Sequence, residues 1–253
     1  NEYEDDLSIE HPKLIKEYFN CAQDKPLFTF LQFSAIHTAT VSEVLKKYEW
    51  DDKEFYSKKK ENLEIYDLAF KKASIYAKKI FESIEDLKKP NETIVIFFSD
   101  HGTGVGERFG ERNYGVFTYE ETIRTFYLFL GNLISKNKNS DSLLRTIDIL
   151  PTILDLCKID TPLKLDGKSF SPFLLNTEEK LSDTPYTFSE TGGLQGPFPS
   201  PMEPNVFCIK SSNYKLIYFL SSNKWELYDI KKNLNKENNI YNSGLEIEKI
   251  LKE

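Results

Sequence analysis

"IVIFFSDHGTGVGERFGE", Ile94 to Glu111, joins an apolar run to an acid-histidine pair and four glycines, in a chain that has only three histidines. Its first six residues, "IVIFFS", are apolar on alternate and intervening positions alike. That pattern predicts a central strand in a sheet covered by helices on both faces. The polar pair Asp100 and His101 then falls where the strand ends.

Upstream of this strand, Tyr66, Ala69, Phe70, Ala73, Tyr76, Ala77, Ile80, Phe81, Ile84 and Leu87 recur at steps of three and four, so residues 61–87 read as a long amphipathic helix broken by "KKPNET". Further back, "HPKLIKEYFNCAQ" carries Leu14, Ile15, Tyr18 and Phe19 at helical spacing. "KPLFTFLQFS" follows as a short buried strand with His37 just beyond it. Strand, helix, strand in that order predicts a crossover with parallel pairing. Residues 39–60 read as loop with one helical turn.

Downstream, "YEETIRTFYLFLG" leads through a turn into a third strand at Phe126 to Leu130. "RTIDILPTILDLCKI" predicts a helix capped from Asp148 with Pro151 in its first turn. The tail changes character. "NVFCIKSSNYKLIYFLSSNKWELYDI" predicts an antiparallel meander with strands near 205–210, 214–220 and 224–229.

With 253 residues, 40% of them hydrophobic and 14% aromatic, the chain can bury a substantial core. A net charge of -7, with basic residues spread thinly apart from "SKKKEN", argues against nucleic acid as a partner. "SKKKEN" itself reads as a solvated turn before a helix, and the paired acids of "YEDD", Tyr3 to Asp6, as solvated. Cys21, Cys157 and Cys208 show no paired spacing, so all three are expected reduced, which favours a cytoplasmic setting. No apolar run approaches the ~20 residues that span a bilayer. The chain opens on Asn1 with no cationic-then-apolar leader, and an upstream part is expected.

In an α/β sheet, ligands gather beyond the carboxyl ends of the strands. His37 and the pair Asp100–His101 all fall at such ends. A carboxylate oxygen and an imidazole nitrogen on one irregular turn can be aimed at a cation. The same residues also suit a helix cap beside a core histidine, and His37 a loop tip. His11, before Pro12, reads as a surface residue.

Taken in order, "IVIFFSDHGTGVGERFGE", "YEETIRTF", "RTIDILPTILDLCKID" with "LDGKSFSPFL", and "KLIYFLSSNKWELYDIKKNLNKENNI" resemble the carboxyl-terminal half of the sulfatase family, within the alkaline-phosphatase-like superfamily. "FLQFSAIH" resembles that family's middle strand, whose following histidine lies over the active site. The resemblance implies an α/β fold, an alkaline-phosphatase-like sheet sandwiched by helices with a small C-terminal antiparallel sheet. Residues 1–185 would be the C-terminal part of the catalytic domain, and 186–253 a small antiparallel β subdomain with a terminal helix.

It also implies roles. Asp100 and His101 match metal ligands, and His37 matches a residue that contacts the ester or assists its leaving group. The implied cofactor is one divalent metal ion, calcium ahead of magnesium, manganese or zinc. The implied substrate is a small-molecule or glycan sulfate ester, or a phosphate ester. The family nucleophile, a Cys or Ser in C/S-x-P-x-R or a Thr, is not found around the three cysteines, so a formylglycine nucleophile would lie outside this chain. Arg108 and Tyr114 stand where many relatives have His or Lys. Losing imidazoles there argues against a two-zinc site. Arg108 or Arg112 can supply positive charge to the substrate anion, Arg108 being the candidate substrate-binding residue; the alternative is surface pairing with Glu107, Glu111 or Glu120.

The expected function is therefore metal-dependent hydrolysis of sulfate esters. The alternatives are a phosphodiesterase or a phosphoglycerol or phosphoethanolamine transferase of the same superfamily, or a non-catalytic remnant.

Overall fold

The apolar run forms β1 (Val95–Phe98), and its partner is β2 (Tyr127–Leu130). The two run antiparallel, Val95 opposite Leu130 and Phe98 opposite Tyr127. The computed structural model describes residues 2–22, 25–34, 36–37, 52–87, 92–181, 184–192, 205–232 and 238–252. Within it the chain divides into two compact units, 1–114 with 125–133, and 115–124 with 134–253.

The first unit holds α1 (Glu2–Ala22), α2 (Lys53–Ser57), α3 (Lys59–Glu85) and the β1–β2 pair. The three-and-four spacing read over 61–87 is α3, and it buries Ala69, Tyr76 and Ile80. Tyr76 and Ile80 meet Ile15 of α1, and Leu31 and Phe33 pack on the same cluster. α1 starts well before the expected helix and runs through Pro12. A proline there removes one backbone donor, so the helix persists on what it buries.

Residues 26–34 do not form the expected strand, and the parallel pairing predicted from the crossover is not found among the described residues. The run is apolar and rich in aromatics, but a strand also needs a neighbour for its ladder. Leu31 and Phe33 turn toward the helices, with the Phe33 ring stacked 4.1 Å from that of Tyr76. Phe28 and Phe30 face outward, 76% and 66% exposed. "SKKKEN" spans the junction of α2 and α3. Of the loop expected over 39–60, residues 39–51 lie outside the described residues; the rest is helical from Lys53.

The second unit holds α4 (Glu120–Ile123), α5 (Ile149–Leu156), α6 (Ser171–Leu174), β3 (Thr187–Thr191), β4 (Val206–Lys210), β5 (Tyr214–Phe219), β6 (Lys224–Asp229) and α7 (Glu246–Lys252). Strands β3 to β6 form one antiparallel sheet in chain order, so the three expected strands are present and a fourth precedes them. β3, "TFSET", gave little sequence signal, because its one large apolar residue, Phe188, points to solvent at the sheet edge. One sheet face packs Cys208, Ile217 and Tyr228 with Tyr119; the other packs Leu216 and Leu227 with Leu251 of α7. Lys215 is fully buried and bonds Glu120, which Lys210 also holds at 2.8 Å.

Asp148 precedes α5 as expected, but its side chain does not cap the helix. It reaches back to the Arg145 amide (2.9 Å) and across to the Lys168 amide (2.8 Å). That ties "DGKS" onto the helix start at Gly167, where a Cβ would lie 1.9 Å from the Ile147 carbonyl oxygen. No helix among the described residues is long and apolar enough to cross a membrane. Cys208 is buried, Cys21 and Cys157 are exposed, and all three are free.

Candidate active site

β1 ends at Phe98, and the chain turns so that Asp100 and His101 leave the sheet together. Asp100 Oδ1 accepts the backbone N–H of His101 at 2.9 Å, which fixes the carboxylate over its own turn. His101 Nδ1 lies 2.7 Å from the Gly102 carbonyl oxygen. A carbonyl only accepts, so Nδ1 carries a proton, and in the neutral ring Nε2 is the nitrogen that keeps its lone pair. Asp100 Oδ2 is 3.7 Å from that Nε2, and the Asp100 side chain is 80% exposed.

A carboxylate oxygen and an imidazole lone pair thus stand side by side on an open turn, each oriented by a backbone group. A hydrogen bond on the other ring nitrogen or on the carboxylate is what orients such groups in metal sites generally. The donor types fit a divalent cation, as two members of a larger ligand set. Among the described residues there is no cluster of three or more His, Cys, Asp or Glu side chains.

The glycine loop beyond the pair is held in place. Gly104 and Asn113 form a backbone bridge, and Val105 N–H donates to Glu107 Oε2 at 2.7 Å. From the α2–α3 junction, the Asn62 amide donates to the Val105 carbonyl at 3.1 Å, and Tyr56 Oη accepts the Gly110 N–H at 3.1 Å. Arg112 pairs with Asp52 at 2.6 Å and lies 4.7 Å over the Phe55 ring. The Phe55 amide, with Arg112, holds the Asp52 carboxyl below the usual carboxylate range. Arg112 is buried and pairs with Asp52, a residue not among the expected surface partners Glu107, Glu111 and Glu120. Glu120 belongs to Lys210 and Lys215.

Asn113, left-handed at φ 73°, precedes Tyr114. The Tyr114 ring lies 4.2 Å from that of His101, and its hydroxyl shares a 3.1 Å hydrogen bond with His37 Nε2. The two histidine rings are 6.5 Å apart. Three of the residues singled out from sequence, His37, Asp100 and His101, are therefore gathered at one place. Arg108 sits half-buried on the limb of the loop between Gly106 and Gly110.

His11 is not the surface residue expected. Its Nδ1 is 2.6 Å from Tyr76 Oη, edge-on to that ring, in the joint between α1 and α3. The sequence singled out Arg108 rather than Tyr114, which the family resemblance marked only as a position where His or Lys is expected.

Comparison with known proteins gives two family matches. A sulfatase model covers residues 12–159, and a model of the carboxyl-terminal part of N-sulphoglucosamine sulphohydrolase covers residues 110–253. The chain is 30% identical over 190 residues to a Delta 4,5-hexuronate-2-O-sulfatase of Bacteroides thetaiotaomicron, covering 71% of this chain and 38% of that protein. It is 27% identical over 170 residues to an N-acetylglucosamine-6-O-sulfatase of the same organism, covering 64% of this chain and 29% of that one. Among solved structures it superposes on a 2-O GAG sulfatase with a TM-score of 0.63 at 27% identity, over 74% of this chain and 40% of the other. The chain thus spans well under half the length of these relatives.

Proposed function

The chain belongs to the sulfatase family, and from that membership we propose that it is the carboxyl-terminal part of a metal-dependent hydrolase of sulfate esters. Its fold is of the alkaline-phosphatase-like α/β class that the solved sulfatases share. In this reading residues 1–185 complete the catalytic domain and 186–253 form the small antiparallel subdomain ending in α7.

The observation that carries the proposal is the turn after β1, where Asp100 Oδ2 and His101 Nε2 stand 3.7 Å apart, with His101 Nδ1 held by the Gly102 carbonyl. Asp100 and His101 would hold one divalent cation, calcium first among the candidates for a set built on hard oxygen. When bound, such an ion neutralises and polarises the sulfuryl oxygens. His37, exposed beside this pair, would face the ester oxygen and assist the leaving group. Arg108 would add positive charge for the sulfate. None of Cys21, Cys157 and Cys208 stands in a C/S-x-P-x-R stretch, so the formylglycine or other nucleophile would come from the remainder of the longer protein. The two relatives named for sulfated sugars make a glycan sulfate the preferred substrate class.

The test uses the longer protein that contains this chain. Purified enzyme should cleave an aryl sulfate when a divalent cation is present, and Asp100→Ala should abolish that cleavage. Turnover of phosphate esters or diesters alone would replace the sulfatase reading with the phosphoryl-transfer alternative.

A further inference from the structure

We infer that Tyr114 is a positioning residue for His37, fixing the imidazole that serves the leaving group; this rests on the role proposed for His37 above. His37 is exposed, and a long-range contact with Tyr114 reaches its ring.

Tyr114 is suited to hold that ring from a fixed position. The Gly104–Asn113 bridge holds the backbone just before it, and Asn113 is buried in the left-handed conformation. The ring then lies against His101, 4.2 Å between centroids with the planes 34° apart. With backbone and ring both held, the hydroxyl is a fixed point 3.1 Å from His37 Nε2. A hydrogen bond at one imidazole nitrogen sets the rotation of the ring and aims the other nitrogen.

The proton balance follows. In imidazolium form, His37 Nε2–H donates to Tyr114 Oη, and Nδ1–H faces the ester oxygen. As a nucleophile oxygen from the remainder of the longer protein bonds to sulfur, the S–O bond to the leaving group breaks, and its electron pair stays on that oxygen and takes the Nδ1 proton. His37 is left neutral with Nε2–H still on Tyr114.

The experiment compares two substrates in the longer protein: 4-nitrophenyl sulfate, whose leaving group needs little protonation, and a sugar sulfate, whose leaving group needs it. Tyr114→Phe keeps the ring on His101 and removes only the hydroxyl. It should lower kcat on the sugar sulfate by about tenfold while changing kcat on the nitrophenyl ester by less than about twofold, with KM unchanged for both. His37→Ala should show the same selectivity, more strongly. A Tyr114→Phe enzyme that slows both substrates equally, or neither, overturns the inference. If His37→Ala itself lacks the leaving-group dependence, it is the role of His37 that falls, and Asp100→Ala still tests the metal site separately.

Discussion

Burial at the joint between α1 and α3 acts on two titratable groups in opposite directions. Desolvation penalises the charged form of each, so the His11 pKa falls below 6.5 and that of Tyr76 rises to about 12. For His11 the unfolded chain takes up its proton first as the pH drops. Its contribution to stability is therefore intact above pH 6.5 and is lost as the pH falls through the lower folded value. For Tyr76 the contribution is intact below pH 10 and is lost as the pH rises toward 12. Because the chain has three histidines, an NMR titration can follow His11 directly. Its midpoint should lie below 6.5, and Tyr76→Phe, which removes the 2.6 Å partner, should cost about 1 kcal/mol in urea unfolding. A midpoint above 6.5 would show that the joint is wet. At this scale Asp100 and His101 were legible because a strand end announces itself, and His37 from the family resemblance, although residues 26–34 form no strand. The roles of Tyr114, Arg112 and His11 were not, since each depends on a partner 60 or more residues away in the chain.

Helix α3 could be read from spacing because it buries one face, which writes itself into the sequence as a period, whereas strands β4 to β6, packed on both faces of their sheet, read as short apolar runs between turn residues. β3 and residues 26–34 show the limit of such reading. The first pairs at a sheet edge with little to bury, and the second is an apolar run without a ladder. The start of α5 is set by a close approach that only glycine permits. Gly167→Ala would drive a Cβ into the Ile147 carbonyl and displace the Lys168 amide from Asp148. Equilibrium urea unfolding should register a loss of about 3 kcal/mol. A loss under about 0.5 kcal/mol, the range of ordinary surface changes, would mean that the "DGKS" turn is not pinned there.

At the scale of the molecule, one group of exposed aromatic residues is contiguous. Phe28 and Phe30 stand out to solvent, and the Phe30 and Phe98 rings lie 6.5 Å apart, so residues 26–34 and β1 expose apolar groups side by side. Contiguous patches of this kind mark association surfaces. The isolated chain should bind a hydrophobic dye and self-associate, and Phe28→Ser with Phe30→Ser should reduce both by scattering and fluorescence without lowering Tm. Unchanged association would place the sticky surface elsewhere. Membership of the sulfatase family, the helices, the C-terminal meander and the residues placed at the strand ends were determined by the sequence itself, because periodicity and ordered short motifs are local properties. Only the tertiary structure decided that β1 pairs antiparallel with β2, that the glycine loop is anchored on Tyr56, Asn62 and Asp52, and that Tyr114 joins His37 to His101. Those are choices among distant partners, and side chains of the same chemistry compete for each until packing selects one.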